Sequence, residues 1–215
     1  MVYYLQKLLL MAAAASLTLA AHPVEDVAKG CGVTPEVFDQ LLNSSSVADF
    51  DIGQVAGLLG EPVEVINSWS EDSREFLFNE LSRGAKDSLA LIDPEQEIGK
   101  RQFADDDKLD KRQSPNAQIY RDQESVFVRV HNARMRSANT SCFANVPCGT
   151  CGAAASLVGV AGIATCTVIG VEAEAVVIGT TAGSATPAVW VAYVGCVAKV
   201  SAEVATLVGA CHAAL

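Results

Sequence analysis

Six of the seven cysteines lie in the second half of the 215-residue chain, and their spacing limits the chemistry they can support. Cys148 and Cys151 have the Cys-x-x-Cys spacing of a thiol–disulfide active site. Such a site needs a thioredoxin-like βαβ surrounding, which the sequence does not predict. Zinc would need four ligands, and only His131 and His212 accompany these cysteines, so we expect both histidines to be surface residues. We therefore expect structural disulfides, with no metal and no cofactor.

Glu172 and Glu174 are the other residues that could do chemistry. Two nearby carboxylates can act as general acid and base, as in glycoside hydrolases, but such a pair is far commoner on a polar turn or helix face. The chain contains neither a Gly-x-Ser-x-Gly elbow nor a phosphate-binding loop. We expect no catalytic residues and no enzyme activity.

The first residues of the chain indicate its cellular compartment. Lys7 precedes a short apolar run, and small residues follow at Thr18-Leu19-Ala20. This layout is typical of a secretory signal peptide, here residues 1–20, and the apolar run is short for a membrane-spanning helix. We expect a secreted, extracellular protein whose cysteines meet an oxidising compartment.

Charge divides the rest of the chain into two parts. Residues 22–112 hold twenty Asp and Glu against nine Lys and Arg, whereas residues 113–215 hold five of each class. The net charge of −10 argues against a nucleic-acid partner, which would require a clustered basic surface. The boundary between the two parts carries two Lys-Arg pairs, Lys100-Arg101 and Lys111-Arg112.

These pairs resemble the sites of fungal secreted precursors, in which a kexin-type protease cuts after Lys-Arg. The resemblance implies a pro-region at 21–101, a spacer at 102–112 and a product at 113–215. Proteolysis concentrates in charged, exposed stretches. The alternative is that this stretch is only a solvated linker that is not cut, since such a linker has the same composition. Arg134-Met135-Arg136 is a weaker third candidate site.

The acidic part predicts a pro-region of short helices. Thr34 before Pro35, Asp51 and Ser70 are each suited to cap a helix, and the last helix is predicted to end at Gly84. Helices this short bury little area alone, so we expect them to lie on the apolar part as a chaperone or inhibitor. An unrelated acidic domain is the alternative. Cys31 is left for a mixed or intersegment disulfide, or for a reduced thiol.

The apolar part predicts a disulfide-stapled bundle of four or five Ala/Val/Gly-rich helices, so the fold class is mainly α. Cys151 and Cys166 are fifteen residues apart, and so are Cys196 and Cys211, which suits two antiparallel rods joined at both ends. This predicts the pairs Cys151–Cys211, Cys166–Cys196 and Cys142–Cys148, out of fifteen possible connectivities. The segment 179–187 is the clearest turn, separating helices at 167–178 and 188–197. Alternation at 125–131 predicts a short strand or arm.

Several further residues are candidates for surface roles. Asn43 and Asn139 begin N-glycosylation sequons. Candidate membrane or surface contacts are Arg129, Arg134, Arg136, Trp190 and Tyr193.

The whole pattern resembles fungal killer-toxin and antimicrobial-peptide precursors, and CGTCGAAASLVGVAGIATC at 148–166 is similar in texture to halocin-like, cysteine-rich bacteriocins. The resemblance implies a precursor of an antimicrobial or killer-type protein. Its expected partners are a kexin-type protease, the target-cell membrane and the cleaved pro-region. The alternative is a host-directed effector or a surface-assembling protein in the manner of hydrophobins, although the chain lacks the adjacent cysteines of that family.

Overall fold

The structure is a computed structural model that describes residues 23–92, 115–139, 146–180 and 187–213. All the regular secondary structure in these ranges is helical, which confirms the mainly α fold class. The α-helices are α1 Pro23–Cys31, α2 Pro35–Asn43, α3 Ala56–Leu59, α4 Val63–Ser68, α5 Glu71–Ala90, α6 Pro115–Asn139, α7 Val146–Thr180 and α8 Pro187–Ala213. Two 3₁₀ turns, Val47–Asp49 and Ile52–Val55, precede α3. We call residues 23–92 the acidic unit and the described residues from 115 onward the apolar unit.

The three predicted caps of the acidic unit are confirmed. The Thr34 hydroxyl accepts a hydrogen bond from the amide of Val37 at 3.4 Å, and Asp51 Oδ1 accepts one from the amide of Gly53 at 3.0 Å. Ser70 Oγ accepts one from the amide of Ser73 at 3.3 Å. Each side chain satisfies a donor that the first turn leaves without a partner, which fixes where the helix begins.

The predicted end of the last acidic helix at Gly84 is wrong, because α5 continues to Ala90. Gly84 is buried inside this helix against α7. A Cβ placed on it would lie 2.9 Å from Val160 Cγ1 and 3.1 Å from Leu157 Cδ1. The residue is therefore glycine because two helices approach closely there, and it does not stop the helix.

The predicted strand at 125–131 is also wrong, since this segment lies inside α6. Its alternation is part of a longer helical pattern in which one face is buried, at Tyr120, Glu124, Val128, His131 and Met135. Spacings of three and four residues place these side chains on one side of a helix, toward α7.

The described part of the apolar unit has three long helices, where four or five were predicted. The segments 167–178 and 188–197 lie within α7 and α8, and residues 181–186 of the predicted turn are outside the described residues. The helix α7 runs for 35 residues through Glu172 and Glu174, because both carboxylates find partners on neighbouring helices. Polar residues that are satisfied in this way need not interrupt a helix.

The long helix α7 is the centre of the molecule, packed by α5, α6, α8 and α1. One core cluster combines acidic-unit residues such as Phe38, Leu77 and Leu81 with Leu157 and Val168 of α7. The two parts of the sequence therefore share a core. The acidic helices thus lie on the apolar part, as the sequence predicts.

Candidate functional site

Two disulfides join α7 to α8. Cys151 is bonded to Cys211, with Cα atoms 5.7 Å apart, and Cys166 is bonded to Cys196, with Cα atoms 5.8 Å apart. Both pairings are those predicted from the equal spacing. They join the two antiparallel helices at one end and near the middle of their contact.

The third predicted pair includes Cys142, which lies outside the described residues. Cys148 is disulfide-bonded. Because Cys151 is bonded to Cys211, Cys148 and Cys151 do not form a disulfide with each other, as the two cysteines of an oxidised redox motif would. Cys31 is not in an intersegment disulfide with any described cysteine; its thiol is buried and donates to the carbonyl of Ala154 at 3.7 Å.

Glycine brings α7 and α8 into close contact between the two disulfides. A Cβ placed on Gly162 of α7 would lie 2.7 Å from Val200 Cγ1 of α8. The absence of a side chain at this position lets the two backbones approach, as small residues do at helix interfaces in membranes. The pair is thus held by disulfides and by packing.

The acidic unit covers another side of α7. Gly30 of α1 and Gly84 of α5 are the close contacts: a Cβ on Gly30 would lie 2.7 Å from Ala154 Cβ. Leu157 lies between the two units and is fully buried. The sequence predicted a helix end at Gly84 and did not single out Gly30, although an isolated glycine inside a helical pattern signals a packing constraint.

Hydrogen bonds and charges outline the boundary between the units. The amide and hydroxyl of Ser70 both donate to Glu172 Oε1, at 2.9 and 2.6 Å. Asn132 Nδ2 donates to Asp87 Oδ2 at 3.2 Å, and an Arg83 nitrogen lies 3.8 Å from Glu124 Oε1. These polar groups surround an apolar contact and fix the register of α5 on α6 and α7.

Burial at this boundary perturbs two charged groups. It raises the pKa of Asp87, and the nearby Arg83 and Arg136 oppose that rise. It lowers the pKa of Arg121, whose guanidinium lies 4.9 Å from the centre of the Phe76 ring. Both shifts arise because the second unit removes water from groups that would otherwise be solvated.

The two candidate acid/base carboxylates have different partners. Glu172 accepts hydrogen bonds from Ser70 of the acidic unit, whereas Glu174 is buried and accepts one from the hydroxyl of Tyr120 at 3.3 Å. Burial, and then the negative charge of Glu174, raise the pKa of Tyr120 to about 12. Each carboxylate therefore joins α7 to another helix.

His131 is a buried contact between α6 and α7. Its Nε2 hydrogen-bonds to the carbonyl of Ser156 at 3.0 Å, and its ring lies against Gly159, where a Cβ would be 2.2 Å from the ring Cε1 atom. Burial lowers the pKa of His131 below its usual value. The expectation that His131 is a surface residue is therefore wrong, because nothing in its local sequence pattern shows the facing glycine.

The predicted surface contacts differ in accessibility. Arg129, Arg134 and Arg136 are exposed on α6, and Trp190 is half-buried. Tyr193 is only 2 % exposed and packs edge-on against Tyr120, so the prediction that it contacts a membrane or surface is wrong for this structure. It is buried because α8 turns this side toward α6 and α7.

The candidate processing residues lie outside the described residues, and the two candidate glycosylation residues lie at helix ends. Lys100, Arg101, Lys111 and Arg112 lie outside the described residues, as do residues 1–20. Asn43 is exposed at the end of α2, where its Nδ2 donates to Asp39 Oδ1 at 2.8 Å. Asn139 is the last residue of α6. Each sequon thus begins at the last residue of a helix.

Among the described residues, two helices have the length and apolar composition needed to cross a membrane. They are Pro147–Val177, with mean hydropathy 2.0 and 78 % of its most apolar window buried, and Pro187–Ala213, with mean hydropathy 1.6 and 17 % buried. Among the described residues, no group of three or more His, Cys, Asp and Glu side chains is placed to hold a metal ion.

A scan against protein-family models found no match, and searches among curated proteins and solved structures likewise found none. The function has to be argued from the chain's own residues.

Proposed function

We propose that the chain is a secreted precursor of a disulfide-stabilised antimicrobial or killer-type protein, which acts at target membranes after cleavage by a kexin-type protease. The observation that carries this proposal is α8. It has the length and hydropathy of a membrane span, little of it is buried, and two disulfides attach it to another helix of span length. A helix that is apolar on all sides is stable in a core or in a bilayer.

The disulfides support an extracellular site of action. Such bonds persist in oxidising compartments and are rare in the cytosol. The loops they close, with sequence separations of 60 and 30 residues, are long enough to restrict the unfolded chain strongly.

The candidate processing sites fall between the two units. Both Lys-Arg pairs lie in residues 93–114, after α5 ends at Ala90 and before α6 begins at Pro115. Cutting there would sever no described helix. Because the units share a core, the acidic unit would remain on α7 after cleavage until dilution or a competing surface displaced it.

In this proposal the acidic unit shields an apolar face of α7 from water and from membranes. It buries the face of α7 that carries Ala154, Leu157 and Val168, which would otherwise be exposed in the secretory pathway. Exposed patches of this kind lead to aggregation or to unwanted membrane contact. Three exposed arginines of α6, Arg129, Arg134 and Arg136, would add attraction to anionic lipid of about 1 kcal/mol each.

Intact mass spectrometry of the secreted material, with and without reduction, tests the precursor. We expect a species beginning at Gln113 whose six cysteines are all oxidised. Dye release from liposomes and growth inhibition then test the activity, with uncut and cut protein compared side by side. A single uncut species beginning near Ala21, together with no leakage and no inhibition at micromolar concentration, would refute the proposal.

The same exposed helix also favours the second candidate, a surface-assembling protein. A helix with this little of its apolar surface buried would adsorb at an air–water interface. Assembly there without leakage or toxicity would select this alternative over the membrane-acting one.

A further inference from the structure

The packing of His131 on α7 depends on the absence of a side chain at Gly159. The imidazole ring occupies the space that a Cβ of Gly159 would take, and its Nε2 atom hydrogen-bonds to the carbonyl of Ser156 at 3.0 Å. We call the recess formed by Ser156 and Gly159 the histidine notch. The ring fits there only because α7 carries a glycine at this turn.

The histidine notch lies between two separate apolar clusters. One turn before His131, Val128 belongs to a buried cluster with Ile163 of α7. One turn after it, Met135 belongs to another cluster with Ala155 of α7. Movement of the ring out of the notch would therefore disturb the packing of α6 on both sides.

The described covalent links leave α6 unattached. This helix contains no cysteine, and both described disulfides join α7 to α8. The contacts of α6 with α7 are side-chain packing and hydrogen bonds. The helix α6 can therefore separate from α7 while α7 and α8 stay bonded to each other.

The charges around the notch would not stabilise an imidazolium. The cation of Arg134 disfavours protonation of His131, and residues 146–171 of α7 have no charged side chain. Further cations on the surrounding helices would also repel it: Arg83, Lys86, Arg129, Arg136 and Lys199. The carboxylates of these helices have other partners: Glu80 and Glu124 with Arg83, Asp87 with Asn132, Glu172 with Ser70, Glu174 with Tyr120, and Glu203 with Lys199.

We infer that the histidine notch is an acid-sensitive switch: once His131 is protonated its ring leaves the notch, and α6 separates from α7 while the disulfide-bonded pair of α7 and α8 stays together. The physical reason is that a charged ring in this apolar contact would lose most of its hydration without gaining a counter-ion. Separation would expose Ile163 and Ala155 of α7. The inference concerns the uncut chain, goes beyond the proposed function and does not depend on it.

Separation should become more favourable as the pH falls below about 6.5, the ordinary pKa of histidine. Burial lowers the pKa of His131 in the packed state, so the separated state binds the proton first. The equilibrium constant for separation should then rise by up to about tenfold per pH unit, until the packed state is protonated as well. Asp87 would act in the opposite direction, because burial raises the pKa of its carboxyl and acid would favour its packed form.

Hydrogen exchange of the uncut chain across this pH range, corrected for the intrinsic exchange rate, tests the inference. We expect the protection of the α6 amides to fall by up to about tenfold per pH unit, while the amides of α1 and α2 keep theirs. His131→Gln should remove this dependence, because glutamine does not titrate. The matched control is His212→Gln, since His212 is exposed in the last turn of α8, and it should behave as the parent does.

Gly159→Ala tests the notch without changing a titratable group. Its Cβ should displace the ring at every pH, so the protection of α6 should be low throughout and lack the acid-dependent step. Circular dichroism verifies that each variant keeps the helical content of the parent. If Gly159→Ala does not fold, the comparison of His131→Gln with His212→Gln decides the question by itself.

Three results would overturn the inference: protection of α6 that does not change with pH in the parent, the same acid dependence in His131→Gln, and an equal loss of protection in all helices. The last result would indicate unfolding of the whole chain instead of separation of α6. A Gly159→Ala chain that folds and keeps the protection and pH dependence of the parent would overturn it too. These outcomes leave cleavage and membrane activity to be decided by their own assays.

Discussion

Gly84 is the position where the contact between the acidic and apolar units can be changed with the fewest side effects. It lies in the middle of α5, far from the disulfides in sequence, and faces Val160 and Leu157 of α7 at distances that leave no room for a side chain. Substitution with Ala and then Val adds one and three carbon atoms to the same contact. The separation of α5 from α7 should increase in that order.

Two opposing effects set the magnitude. Adding carbon atoms to a packed contact costs about 1–3 kcal/mol, whereas replacing glycine inside a helix gains roughly 0.4 kcal/mol for valine. The net expectation for Gly84→Val is a loss of about 1–2.5 kcal/mol in the free energy of unfolding. Gly84→Ala should lose less, because Val160 and Leu157 are side chains that can shift slightly.

Urea unfolding followed by circular dichroism measures the effect on the uncut chain. After cutting between residues 92 and 115, size-exclusion chromatography at a series of concentrations measures how tightly the two units bind. A loss of about 2 kcal/mol corresponds to roughly thirtyfold weaker binding between the cut units. Gly57→Val is the matched control, because a Cβ on Gly57 meets no atom within 4 Å.

The reasoning fails if Gly84→Val unfolds at the same urea concentration as Gly57→Val and its cut units bind equally well. That result would mean that the close approach of α5 to α7 contributes nothing to the contact. A loss of stability without weaker binding after the cut would place the strain inside the acidic unit.

Three further predictions concern single groups. Burial lowers the pKa of His131 in the folded state, so as the pH drops below about 6.5 the unfolded state takes up a proton at this histidine before the folded state does, and the free energy of unfolding should fall. In a plot of urea midpoint against pH, His131→Gln should reduce the slope in this range. An unchanged slope would show that His131 is not the group responsible. In a Tyr193→Phe variant, Tyr120 should form no tyrosinate absorbance below about pH 11 while the chain stays folded, since its pKa is about 12. Replacing Cys151 and Cys211 by Ser should lower the free energy of unfolding by about 4 kcal/mol, from the 60-residue separation, as measured by urea unfolding.

The sequence predicted those features that depend on neighbouring residues or on a simple length. The caps at Thr34, Asp51 and Ser70 are local, since each side chain bonds an amide two or three residues ahead. The disulfide pairing followed from equal separations, because antiparallel rods match when their cross-links are equally spaced.

The features that were missed depend on what lies opposite a residue. Gly84 has the local appearance of a helix end, and only Val160 and Leu157 on another helix show that it is a close contact. The alternation at 125–131 suggested a strand until the flanking buried positions, Tyr120 and Met135, showed a helical period. The accessibility of α8 could not be read from its composition either, because α7 has the same apolar character and is buried.

The placement of covalent and noncovalent contacts suggests how cleavage could act as the release step. Both described disulfides lie within the apolar unit, whereas the described contacts between the units are noncovalent: apolar packing, a few hydrogen bonds, the Arg83–Glu124 ion pair and the Arg121–Phe76 contact. While residues 93–114 connect the units, the acidic unit acts at an effective concentration on the order of millimolar. Once that connection is cut, the occupancy of α7 by the acidic unit depends on the actual protein concentration, which dilution lowers. Units that bind with a micromolar dissociation constant would stay together in concentrated solution and separate in dilute solution, so a cut within residues 93–114 followed by dilution would uncover α7 without any further trigger.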